Sequence, residues 1–206
     1  MATAQNNKEL VPFEHYVSLY KELDPVEASS RCGVKFDSER KCFLMRLLDA
    51  DYELSFPEFA ISGSDNGFAL RNLPAQMLLI RFLLEGQSAP ATEKFLTYRE
   101  MPWGDVYLKP FTGRCLTRAA FTFGTRLPAF CKAMDASDAQ KLTFGDASYE
   151  LEVLPNYKVR LIVWEGDDEF PPNAQILFSD NFPQAFSAED RTVVGDIVIS
   201  DIKRRM

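Results

Sequence analysis

The stretch Lys158–Trp164, KVRLIVW, is an apolar run that passes directly into WEGDDEF, where Glu165, Asp167, Asp168 and Glu169 place four carboxylates in five residues. No other feature constrains the fold as tightly. A short run rich in β-branched and aromatic residues reads as a buried strand, while the acids require the end of that strand to reach solvent or a counter-charge. In extended backbone Glu165, Asp167 and Glu169 share one face and Asp168 opposes them, although Gly166 can bend that geometry. Two like charges ~4 Å apart cost on the order of 4 kcal/mol at an effective dielectric near ~20, so the cluster cannot be both compact and unpaired. The carboxylates either splay into water, pair with Arg99, Arg114 or Arg160, or hold a divalent cation through oxygen ligands. Crowding can also raise one carboxyl pKa far enough for acid–base chemistry.

The rest of the chain sets that strand in an α+β pattern. PFEHYVSLYKEL places Phe13, Tyr16, Val17 and Tyr20 at helical spacing, with Pro12 at the expected first helical position, and Asp24-Pro25 marks the start of a second, short helix. From Val34 to Ile61 short apolar runs separated by turn residues suggest an antiparallel meander, followed by the turn SGSDNG, Ser62 to Gly67. That turn is no EF-hand, because Leu73 stands where the twelfth-position Glu belongs. PAQMLLIRFLLEG reads as a buried helix, and FTGRCLTRAAFTFGTRLPAFCKAM as a helical hairpin or kinked helix interrupted near Gly124 and Pro128. SYELEVL and KVRLIVW are joined by Pro155-Asn156 as a hairpin, AQILFS adds a strand, and Ser187 caps a last helix. Runs of strands followed by helices predict a mainly antiparallel sheet with packed helices. A single domain over residues 1–206 is expected, with a soft boundary near residues 87–92 in QSAPAT.

Charge and motifs narrow the function classes. The formal net charge of −7 repels phosphate backbones and anionic headgroups, so neither nucleic acid nor a membrane is expected as a partner. No signal-peptide-like core opens the chain and no stretch approaches ~18 uninterrupted apolar residues, which points to a cytoplasmic protein. Cys32, Cys42, Cys115 and Cys131 lack C-x-x-C spacing and read as small buried hydrophobes. His15 is the lone histidine, on the first amphipathic helix, and no zinc-protease, P-loop or nucleophile-elbow pattern occurs.

WEGDDEFP together with REMPWGDVY and the later ILF resembles the uncharacterised bacterial and archaeal domain-of-unknown-function family 3786. The similarity runs from Leu23-Asp24-Pro25, through Arg99-Glu100 and Gly104-Asp105-Val106-Tyr107, to the helix after Ser187, and is most specific at Trp164–Pro171. The resemblance implies a compact domain without an assigned activity, and an accessory role beside a protein partner carrying an iron–sulfur cluster. This chain departs from members with a cysteine-rich appendage, so the chain itself is expected to hold no cofactor of that kind.

Beyond Trp164, Glu165, Asp167, Asp168 and Glu169, the segment YREMPWGDVY offers Arg99, Glu100, Trp103, Asp105 and Tyr107 on a loop-like backbone as ligand-binding candidates. Arg114 and Arg118 share a helix face suited to an anion, and Asp146 follows the turn residue Gly145. Each also has a plain structural reading as a paired charge, a gap filler or a turn former. The leading expectation is a non-catalytic accessory or ligand-binding domain in which WEGDDEF and YREMPWGDVY form one face. The alternative is a metal-dependent enzyme whose acidic loop holds a divalent cation.

Overall fold

The computed structural model describes residues 7–64 and 67–206. Asp65 and Asn66 of the SGSDNG turn, and the residues before Asn7, lie outside the described residues. The chain forms two compact units, the first comprising residues up to Arg46 and Ala50–Ser88, the second Leu47–Asp49 and Ala89–Met206. The division between Ser88 and Ala89 falls in the stretch Gln87–Thr92.

The first unit begins with α1 (Asn7–Glu22), which carries Pro12 in its interior rather than at its first position. The turn ahead of Pro12 is already helical, so the missing proline N–H removes one bond within the helix. α2 (Pro25–Cys32) starts as its sequence dictates, with Asp24 Oδ1 accepting from Val26 N at 2.8 Å and Glu27 N at 3.0 Å. It ends on Gly33, whose φ of 66° is cheap only for glycine. The meander β1 (Lys35–Asp37), β2 (Cys42–Leu47), β3 (Ala50–Ser55) and β4 (Ile61–Gly63) forms a sheet in sequence order. α3 (Leu73–Glu85), capped by Asn72 Oδ1 on Ala75 N, buries most of its apolar residues. Tyr20, fully buried, meets the rings of Phe43, Phe56 and Phe59 and donates its hydroxyl to Ser55 O at 3.0 Å.

The second unit is built on a five-stranded antiparallel sheet, completing the expected α+β architecture. In chain order it contains β5 (Phe95–Thr97), α4 (Gly104–Phe111), α5 (Leu127–Asp135), β6 (Gln140–Lys141), β7 (Ala147–Leu154), β8 (Tyr157–Trp164), β9 (Asn173–Ser179) and α6 (Ala188–Arg205). The strand order is β5-β9-β8-β7-β6. Tyr157, Val159, Leu161 and Val163 point to the core face of β8, whereas Lys158, Arg160, Ile162 and Trp164 alternate onto the other face.

α4 does not stop at Phe111. The helical path runs on to Gly124 through π-helical turns at Thr112–Thr117 and Ala120–Gly124. π-turns are rare and arise where the regular bonding ladder is disturbed, and Pro110 removes one of its donors here. The last four residues of YREMPWGDVY are therefore α-helix, not loop, and its first three form a 3-10 turn. This long helix lies against α6, where Cβ at Gly195 would stand 2.7 Å from Cys115 Sγ, so the two backbones approach closely. α6 opens with the capping box Ser187–Asp190. All four cysteines are free, and Cys32, Cys42 and Cys115 are buried.

Candidate functional site

β8 ends at Trp164, and the chain then forms a tight acidic turn before β9 brings it back. Asp167 Oδ1 accepts from Glu169 N at 2.9 Å and Phe170 N at 2.7 Å, and Asp167 N donates to Phe170 O. These backbone donors, that of Phe170 first, hold the Asp167 carboxyl below the usual range. Asp146 ties a neighbouring turn to this one, accepting from Glu165 N at 2.8 Å through Oδ2. Gly145, at φ 59°, permits that turn, since Cβ there would lie 2.8 Å from Val163 O.

The result is a cleft of about 530 Å³ lined by Asp146, Trp164, Glu165, Phe170, Pro171, Pro172 and Asn173. Phe170 is 67% exposed and presents its ring along the cleft. Glu165, Asp167, Asp168 and Glu169 are exposed. Among the described residues none of the four is ion-paired. Asp167 is held by backbone donors, while Glu165, Asp168 and Glu169 stand exposed. Among the described residues no three His, Cys, Asp or Glu side chains are grouped to hold a metal ion.

The arginines considered as counter-charges are committed elsewhere. Arg99 Nε pairs with Asp105 at 2.8 Å, both highly exposed. Arg114 and Arg118 converge on Asp196 of α6, and Arg118 also donates to Ser200 Oγ. Arg160 Nε pairs with Glu150 at 2.9 Å. Glu100 accepts from the N–H and hydroxyl of Thr97, which lowers its pKa, so it is a local cap.

The second candidate segment stands apart from the cleft. Gly104 packs on Tyr98 and Arg99 at the start of the long helix, whereas Gly124 at its end packs on Trp164 and Pro172. Twenty residues of helix separate them, roughly 30 Å at ~1.5 Å per residue. Trp103, Asp105 and Tyr107 therefore share no face with the acidic turn, whereas Asp146, Trp164 and Glu165 line one cleft. Trp103 is 73% exposed at φ 62°, a left-handed conformation that costs a bulky residue about 1 kcal/mol. Replacing Trp103 by Gly is expected to raise stability by about 0.5–1 kcal/mol, which a denaturant titration will register.

Sequence reasoning missed Phe170, Pro171, Pro172 and Asn173 as cleft residues, although the rigid Pro171-Pro172 pair directly after the acids was the available signal. It also missed Glu150, which is 8% exposed on the outer sheet face and bridges Lys158 Nζ at 3.0 Å and Arg160 Nε at 2.9 Å. Burial, the largest influence, pushes the Glu150 pKa up, but hydrogen bonds and attraction from Lys158 and Arg160 together outweigh it and leave it lowered. A lowered folded pKa contributes stability above the unfolded value that is lost as pH falls through the folded one. Glu150→Gln is expected to cost about 2 kcal/mol at neutral pH. It should also flatten the acid limb of the pH–stability curve below about pH 4.5.

The fold and cleft define an α+β domain with an acidic, aromatic-walled recess at a sheet end. Residues 24–201 match the family described as domain of unknown function (DUF3786), and the chain belongs to that family. Comparison with curated proteins and with solved structures gives no match. Among the described residues no helix is long and apolar enough to cross a membrane.

Proposed function

We propose that the chain is a non-catalytic, cytoplasmic accessory domain that captures a cationic segment of a protein partner in the acidic-turn cleft. The observation that carries this reading is the pairing of aromatic walls, Trp164 and Phe170, with exposed carboxylates that have no counter-ion among the described residues. An arginine or lysine side chain satisfies both, because a ring face attracts a cation and the neighbouring acids neutralise it. The net charge of −7 steers basic partners toward the chain. The family resemblance suggests the partner's class, a protein carrying an iron–sulfur cluster. The metal-dependent alternative has less support, since Asp167 Oδ1 is engaged by two backbone donors and no group of metal ligands forms among the described residues.

Calorimetric titration with a hexa-arginine peptide tests the reading. Saturable binding that weakens with salt is expected. The combined variant Glu165→Gln, Asp168→Asn, Glu169→Gln should weaken it at least tenfold, while its melting temperature stays within about 2 °C because these exposed groups support little of the fold. Equal affinity in the variant, or no binding by either protein, contradicts the proposal.

A further inference from the structure

The outer face of the five-stranded sheet carries a second cleft, of about 500 Å³, whose lining includes Phe95, Gln140, Glu150, Lys158, Arg160 and Ser179. It shares no lining residue with the acidic-turn cleft. Arg160 and Trp164 are four residues apart on β8, so the two recesses are separated by roughly 13 Å at ~3.3 Å per residue.

Its floor is built around one guanidinium. Arg160 donates to Glu150 Oε2 from Nε alone, and its guanidinium lies over the Phe95 ring, the guanidinium carbon 3.7 Å from the ring centroid. Among the described residues no acceptor meets its two terminal amino groups. Lys158 Nζ likewise makes one bond, to Glu150 Oε1, and keeps further donors. The strand alternation and the cross-strand pair Glu150–Arg160 set both cations on the same face. The Ser179 hydroxyl proton is committed: the side chain accepts from Lys158 N and donates to Asn181 Oδ1, so it holds the strand ends in place. An anchored fork with an unused donor edge matches the two oxygens of a carboxylate.

Charge balance selects the ligand class. On the floor, Lys158 and Arg160 against Glu150 leave one positive charge, which suits a single negative one, although the whole lining carries two cations and three acids. Glu93 and Glu152 also line the cleft and are exposed, disfavouring a doubly charged phosphate and offering a site for an ammonium group. Glu93 is held there by backbone at φ 66°, beside Thr92, whose N–H donates to Asp180 at 3.0 Å. We infer that this cleft binds a small zwitterion of the amino-acid class, its carboxylate on the Arg160 fork and Lys158, its ammonium toward Glu93.

The test is amide and arginine-side-chain NMR of the whole chain, titrated with the protein amino acids in pools, with acetate, and with inorganic phosphate. At least one amino acid is expected to give saturable shifts at Phe95, Lys158 and Arg160, with acetate weaker and phosphate weakest. Arg160→Lys, which keeps the charge but loses the fork, should weaken amino-acid binding at least tenfold. Glu93→Gln, an exposed change that leaves the fold intact, should weaken it severalfold and leave acetate unaffected. No saturable shift from any pool, phosphate binding tightest, or unchanged affinity in Arg160→Lys overturns the assignment.

Discussion

Replacing Gly104 by alanine is expected to destabilise the second unit by about 3 kcal/mol or more, the upper part of the range for overpacking. Cβ at this position would lie 2.1 Å from Tyr98 O and 2.9 Å from Arg99 Cα. Both neighbours are backbone, so no side chain can swing away. The helix start must shift, and with it the contacts of Phe111, which stacks on Tyr98 at a centroid distance of 4.0 Å. At roughly 2–4 °C per kcal/mol for a chain of this size, the melting temperature should fall by about 6–12 °C. Gly113, in the same helical path, is exposed and has nothing within 4 Å of the position a Cβ would take. Its change to alanine is expected to be neutral or to stabilise by up to about 1 kcal/mol. Thermal denaturation followed by circular dichroism separates the two.

The matching substitution at the other end of the helix, Gly124→Ala, reaches the cleft. Its Cβ would stand 2.7 Å from Trp164 O and 2.7 Å from Pro172 Cβ. The helix end and the two margins of the acidic turn are therefore pressed together, and a methyl group inserted there pushes Trp164 and Pro172 outward. A cost of about 2 kcal/mol is expected, accompanied by weaker capture of a cationic peptide because the cleft walls move. Unchanged peptide affinity with the expected loss of stability would show that the cleft does not depend on this packing.

These contacts also mark the limit of what could be read from residues in a row. Local chemistry was legible: Asp24 before Pro25 and Ser187 with Asp190 each cap a helix, and Pro155-Asn156 turns β7 into β8. The period-2 alternation of KVRLIVW decided which side chains face the core. The path from Phe111 to Gly124 was legible as helix, but the start of α4 was not, because Gly104 and Pro110 argue against a helix that its packing on α6 sustains. Partner choice was equally hidden. Arg114 meets Asp196 and Arg160 meets Glu150 through tertiary neighbours that sequence spacing cannot identify. The separation of Trp103 from Trp164 follows from the length of the intervening helix, which YREMPWGDVY, taken as loop, concealed. Asp146 joined the cleft because Gly145 turns its carboxylate onto Glu165 N, a contact made across nineteen residues.

The central claim is that Trp164 and the adjoining acids form a receptor for positive charge. With Trp103→Phe, Trp164 becomes the sole tryptophan, and its fluorescence reports on the cleft alone. Titration of that protein with hexa-arginine is expected to give a saturable change in Trp164 emission that disappears when Glu165, Asp168 and Glu169 are neutralised. An emission spectrum that stays constant throughout the titration, or that responds equally after neutralisation, would contradict it.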